Sequence, residues 1–220
     1  MNLLSWSARL RDGLRHRLGR LAMRYRGHGI PESDVRAGME SIYRTPDPWG
    51  MDTPREQFRF RETDRILRTQ LVGASGRVPA LLEIGSGEGH QSIHLRARCE
   101  RLTCIDVVGA AVERARTRVP DATFVVGNLR DQPWADAHAR FDIVTACEVL
   151  YAFTDIPATL ATMSRIGRAC LVTWHAPAAA LVDRPLARIE NVSRASFAFE
   201  GTTWHAAWWR NPEPAGNSGA

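Results

Sequence analysis

Residues 80–89 read Ala-Leu-Leu-Glu-Ile-Gly-Ser-Gly-Glu-Gly. The first five are mostly apolar and suit the end of a buried strand. The next five hold three glycines. Glycine lets a backbone pass close to a ligand and adopt positive φ. A helix starting just beyond offers unpaired N–H groups and the positive end of its dipole. A strand, a glycine turn and a helix together make the first unit of a doubly wound α/β sheet.

The stretches that follow continue that unit. Strands are predicted at residues 80–84, 102–106, 123–126, 141–147 and 169–174, with helices at 89–98, 109–118 and 156–166. Apolar strands alternating with helices mark a parallel sheet covered on both faces. The end of the chain differs. A short helix over 181–189 precedes two strands, 196–199 and 204–210, joined through Glu200-Gly201-Thr202. So close a connection makes a hairpin, and hairpin strands are antiparallel. The expected fold is therefore a doubly wound, mostly parallel α/β sheet closing on an antiparallel C-terminal hairpin.

Upstream, residues 45–54 contain three prolines and read as an ordered loop carrying Trp49. A charged helix over 55–72 follows. Residues 2–26 carry an apolar stripe of Trp6, Leu10, Leu14, Leu18, Leu21 and Tyr25 at helical spacing. The chain thus divides into a basic amphipathic helix (1–30), a lid or cap segment (31–77), a cofactor-binding domain (78–210) and a flexible tail (211–220).

Charge sharpens this division. Residues 1–30 hold seven arginines against Asp12 alone, so the rest of the chain carries −1 of the net +5. A near-neutral body does not suit a broad nucleic-acid surface. The basic helix can lie on an anionic membrane surface, or pack on the domain or a partner subunit. All 29 basic residues are Arg, which excludes lysine chemistry. Apolar residues make up 44% of 220, enough for one sizeable core. No apolar run is long enough to span a bilayer. The cysteines Cys99, Cys104, Cys147 and Cys170 form no Cys-x-x-Cys pair and read as buried thiols, with no metal site expected. A cytoplasmic protein, with membrane association left open, is the expected setting. A monomer and a homodimer both remain compatible with the sequence.

The spacing of the glycine loop discriminates between cofactors. A dinucleotide site wants Gly-x-Gly-x-x-Gly, which would put glycine at position 90. That position is His90, and the pattern is instead Gly85-x-Gly87-x-Gly89 around Ser86. Glu83 lies two residues before the first glycine. A carboxylate there can accept from the ammonium of an amino-acid-bearing cofactor and would repel a pyrophosphate. Asp106 ends the second strand, at the edge where open sheets bind ligands, and can accept both ribose hydroxyls. Its plain alternative is a helix cap. Asn128 follows the third strand, where an amide can meet an adenine amino group or simply make a turn. These features fit S-adenosylmethionine. A nicotinamide-dependent oxidoreductase on a similar sheet and a non-catalytic cofactor-binding module are the rivals.

Four stretches resemble the class I S-adenosylmethionine-dependent methyltransferases: 81–89, 102–106 (Leu-Thr-Cys-Ile-Asp), 124–129 (Phe-Val-Val-Gly-Asn-Leu) and 141–151 (Phe-Asp-Ile-Val-Thr-Ala-Cys-Glu-Val-Leu-Tyr). The resemblance implies a seven-stranded sheet with the last strand inserted antiparallel. It also implies cofactor contacts from Val107, Leu129 and Cys147 beside the residues above. The family often has Asp where this chain has Asn128, so the adenine contact is a variant. Asp47-Pro48-Trp49, the charged helix after it, and Cys147-Glu148-Val149-Leu150-Tyr151 are similar to the nodulation N-methyltransferase (NodS-like) group. That group methylates an amino sugar, which implies a small polar acceptor, an amine or a hydroxyl.

Methyl transfer requires alignment, exclusion of water and, for some acceptors, a base. Glu148 and Tyr151 follow the fourth strand and His175 the fifth, all at the ligand edge, so each is a candidate base or acceptor-binding group. Tyr43 and Trp49 are placed as a lid over the acceptor. Arg59 or Arg61 can pair with the cofactor's carboxylate. No Asn/Asp-Pro-Pro-Tyr motif of base-methylating enzymes follows the fourth strand.

Overall fold

The computed structural model describes residues 32–134 and 140–212. The basic helix expected over 1–30 lies outside them, as does most of the expected tail. In chain order the elements are α1 (Glu32–Ile42), α2 (Pro54–Ile66), β1 (Val78–Ile84), α3 (His90–Arg96), β2 (Cys99–Asp106) and α4 (Gly109–Arg118). They continue with β3 (Thr123–Val126), β4 (Phe141–Cys147), α5 (Ile156–Ile166), β5 (Gly167–His175), α6 (Ala179–Leu186), β6 (Ser193–Phe199) and β7 (Thr202–Arg210).

The seven strands form one sheet in the order β3-β2-β1-β4-β5-β7-β6. All neighbours from β3 to β5 are parallel, and β7 is antiparallel to both β5 and β6. The expected architecture is present, with β7 inserted between β5 and the edge strand. The hairpin turn is only Glu200-Gly201, and both residues have positive φ (47° and 78°). That is the backbone a two-residue turn needs if its twist is to match the strands.

Alternation along the strands builds one core on each face. Leu82, Ile84, Val144, Val172, Trp174 and Trp209 pack against α5 and α6 through Ile156, Leu160, Met163 and Val182. Leu81, Leu102, Cys104, Ile143, Leu171 and Trp204 pack against α2, α3 and α4 through Ile66, Leu95 and Val112. Each large side chain so buried contributes about 2 kcal/mol of transfer free energy. Three cysteines are buried and Cys147 half-buried, all as free thiols.

Two elements depart from the expected pattern. The helix over 55–72 is α-helical only to Ile66 and then widens into a π-helical turn, Leu67–Val72. Ile66 and Leu71, and Leu67 and Val72, are five residues apart, and all four are buried. A wider turn keeps both pairs on the core side. Helix α1 was not expected, because Val35, Met39 and Ile42 make a thin apolar stripe in a polar stretch.

Candidate active site

The parallel strands deliver the site to their carboxyl edge. β1 ends in the glycine loop, which is pinned to β2: the N–H groups of Gly85 and Ser86 donate to the Ile105 carbonyl at 2.8 and 3.3 Å. The Gly87 N–H donates to Asp106 Oδ2 at 2.8 Å, and Val108 N–H to Oδ1 at 3.0 Å. Asp106 therefore shapes the loop as well as facing the cavity, and burial raises its pKa. Gly85 has φ 74°, and a Cβ there would lie 2.4 Å from Val149 Cγ2. At Gly87 (φ 51°) a Cβ would lie 2.8 Å from the Tyr43 hydroxyl. Both positions require glycine for conformation and for space.

Beside the loop lies a cavity of about 430 Å³. Of the expected cofactor residues, Gly85, Asp106, Val107, Asn128 and Leu129 line it, together with Met39, Val149 and Phe153. Its size suits a small-molecule cofactor. Asn128 accepts the Arg130 N–H through Oδ1 at 3.0 Å, so part of its amide caps the turn after β3.

Around the outer side of the loop the polar groups fit an amino-acid moiety. Arg59 is buried at 3% exposure, whereas Arg61 is exposed. Glu56 takes its Nε at 2.7 Å. Among the described residues its two terminal nitrogens meet Gln91 Oε1 at 3.4 Å and Met51 Sδ at 3.7 Å. Buried polar atoms without a hydrogen-bond partner among the described residues include Ser86 Oγ, Gln91 Nε2 and Glu148 Oε1 near by. Orphaned buried polar atoms beside a glycine cradle are what a ligand with a carboxylate and an ammonium would satisfy. Glu83 is fully buried, and its Oε2 accepts from the Ser92 hydroxyl and from the Cys104 thiol. Burial pushes its pKa up to about 7.

The three candidate catalytic side chains meet. Glu148 Oε2 accepts the Tyr151 hydroxyl at 3.2 Å and the His175 backbone N–H at 3.2 Å, and lies 3.3 Å from His175 Nδ1. Tyr151 and His175 pack edge-to-face with centroids 4.8 Å apart. Glu148 takes a positive φ of 57° directly after β4, a strained backbone that turns its carboxylate toward β5. Burial and then the Glu148 charge raise the Tyr151 pKa well above the usual phenol value. Cys147, the last residue of β4, is a neutral thiol pushed up to about 12 by burial.

Comparison with known proteins agrees with this geometry. Residues 82–169 match the family model described as a methyltransferase domain. Residues 82–169 thus carry a methyltransferase domain. It is 29% identical over 136 residues to Nodulation protein S of Sinorhizobium fredii strain NGR234, covering 60% of this chain and 61% of that protein. It is 31% identical over 97 residues to malonyl-[acyl-carrier protein] O-methyltransferase of Serratia marcescens, covering 44% and 37%. The alignments thus span less than two thirds of these relatives. The fold matches N-methyltransferase NodS from Bradyrhizobium japonicum WM9 in complex with S-adenosyl-L-homocysteine. That match has a TM-score of 0.68 at 24% identity and covers 81% of this chain and 99% of that one.

Sequence reasoning about the methyltransferase domain missed some of its residues. Tyr43 and Trp49, expected as a lid, sit beside the glycine loop: Trp49 Nε1 donates to the Tyr43 hydroxyl at 3.0 Å, next to Gly87. Glu88, the fourth residue of the loop, is buried and holds this upstream segment by accepting the Asp47 N–H at 3.0 Å. Its place inside the loop was visible, but its partner, 41 residues away, was not. Arg114 on α4 and Gln91 on α3 carry no local pattern that marks them. No described helix is long and apolar enough to cross a membrane.

Proposed function

We propose that the chain transfers a methyl group from S-adenosylmethionine to an amine or hydroxyl of a small polar acceptor, such as a sugar or amino sugar. The observation that carries this is the Glu148–Tyr151–His175 cluster, standing at the same sheet edge as the glycine loop and Asp106. The bound cofactor supplies a methyl carbon on a cationic sulfur, so an acceptor lone pair can form a bond to that carbon while the C–S electron pair returns to sulfur.

In this reading Gly85, Ser86, Gly87, Gly89, Val107, Asn128 and Leu129 cradle the adenosyl end, and Asp106 accepts the ribose hydroxyls. Arg59 pairs with the carboxylate, and Glu83 with Gln91 faces the ammonium side. On the acceptor side, His175 directs Nδ1–H to Glu148 and leaves the Nε2 lone pair outward to take the acceptor's proton. Glu148 stabilises the imidazolium that results, as the carboxylate of a histidine dyad does. Tyr151 fixes the same carboxylate and buttresses the ring. An N-methyltransferase among the similar structures and an O-methyltransferase among the relatives support both acceptor atoms.

The test is a screen of amino sugars, small amines and hydroxyl acceptors with labelled S-adenosylmethionine, run on wild type, His175→Gln and Glu148→Gln. Label transfer that falls about 10²-fold or more in both variants, with adenosylhomocysteine affinity unchanged, is expected. Tight cofactor binding without transfer to any acceptor would point to a binding module instead. Wild-type rates in both variants would remove the dyad from the mechanism.

A further inference from the structure

The side chain of Glu88 is 3% exposed and does an unusual job for a buried carboxylate. Both of its oxygens accept one backbone N–H, that of Asp47, at 3.0 Å. Asp47 belongs to the irregular segment 43–53 between α1 and α2, and it holds a positive φ of 46°. Arg114 of α4 completes the fastening. Its Nε donates to Glu88 Oε1 at 2.7 Å and its Nη2 to the Tyr43 carbonyl at 2.7 Å. Arg118 donates to the Glu88 carbonyl from the same helix. A buried charge is costly unless it is paired, and a non-glycine residue at positive φ persists only where its surroundings hold it there.

What these bonds hold in place is the segment that joins the cavity-lining α1 to the helix carrying Arg59. Before the segment, α1 lends Arg36 and Met39 to the cavity wall. At its start the Tyr43 hydroxyl covers Gly87. Near its end Met51 meets Arg59 through sulfur, and Gln57 Nε2 donates to the Met51 carbonyl at 3.0 Å. The segment thus runs as a strap from the end of α1, past the glycine loop, to Arg59, and Glu88 grips its middle.

Resting on the cofactor reading above, we propose that Glu88 and Arg114 are positioning residues that latch this strap, and that opening the latch sets the rate at which cofactor and product exchange. Loss of one charge-assisted bond is enough for about a tenfold change in rate.

The test is displacement of bound S-adenosylhomocysteine followed by stopped flow, on wild type, Arg114→Met, Arg114→Lys and Glu88→Gln. Arg114→Met keeps the aliphatic stem and removes both bonds, while Arg114→Lys can reach either Glu88 or the Tyr43 carbonyl but not both. Dissociation about tenfold faster in Arg114→Met and Glu88→Gln, intermediate in Arg114→Lys, and association changed less than about threefold, is the expected result. Variants that melt at a lower temperature yet release the ligand at the wild-type rate would make these residues plain anchors and overturn the latch. A wild type that binds no adenosylhomocysteine overturns the cofactor reading and the latch with it. Tight wild-type binding with off-rates unchanged within about twofold overturns the latch alone.

Discussion

Replacing Glu83 by Gln should make the ligand-free protein more stable at alkaline pH and leave it nearly unchanged in mild acid. Glu83 is fully buried, and burial lifts its pKa from 4.5 to about 7. The unfolded chain ionises this carboxyl above about 4.5, while the folded chain keeps it protonated until about 7. Between those values the folded state therefore binds more protons, and stability falls as pH rises. The full penalty is the shift times 1.36 kcal/mol per unit, about 3 kcal/mol, reached above about pH 7. Only a minor part of it is present at about pH 5. Gln has the same shape, can still accept from Ser92 and Cys104, and does not ionise. Urea denaturation of both proteins at about pH 5 and about pH 8.5 measures the difference. The stability gap in favour of the variant should widen by about 2–3 kcal/mol between the two conditions. A gap that stays constant with pH refutes the reasoning, since it would mean that the buried carboxyl ionises as freely in the folded chain as in the unfolded one. The same carboxyl is proposed to face the cofactor's ammonium. Adenosylhomocysteine affinity should then rise with pH over this window in wild type and stay flat in the variant.

The remaining expectations concern the loop, its partners and the upstream region. Asp106→Ala should weaken adenosylhomocysteine binding about 10- to 100-fold by calorimetry, because ribose hydroxyls and the Gly87 N–H lose their acceptor. Gly85→Ala should cost about 2–4 kcal/mol in denaturant melts, from a strained φ and the 2.4 Å approach to Val149. Adding Val149→Ala should recover the steric share and leave the φ share. Deleting residues 1–30 should leave cofactor affinity within about twofold, because the residues proposed to hold the cofactor all come from Arg59 onward. Loss of binding on deletion would make that stretch part of the site.

Much of this was legible because the deciding residues obey local rules. The strands of a sheet covered on both faces must be apolar, so β1 to β5 stand out as runs. Gly85 and Gly87 sit where a Cβ would strike Val149 or Tyr43, which is why glycine spacing located the cradle. The strand ends gave Asp106, Glu148 and His175, because a parallel sheet brings all its carboxyl edges together. Residues whose role depends on distant partners were harder to read. Arg59 stands in a helix crowded with charges and looked as exposed as Arg61; only Glu56, Gln91 and Met51 around it reveal that it is interior. Tyr43 and Trp49 were read as a lid, and their seat beside the glycine loop depends on Glu88 binding a backbone N–H that no sequence pattern announces.

The central claim is that the glycine loop, Asp106 and Arg59 hold a methyl-donor cofactor. Isothermal titration of the purified protein with S-adenosylhomocysteine, and separately with NAD, tests it most directly. One saturable site for adenosylhomocysteine, weakened at least about tenfold in Arg59→Met and Asp106→Ala, with no heat from NAD, is the predicted result. Saturable binding of NAD with none of adenosylhomocysteine would contradict it.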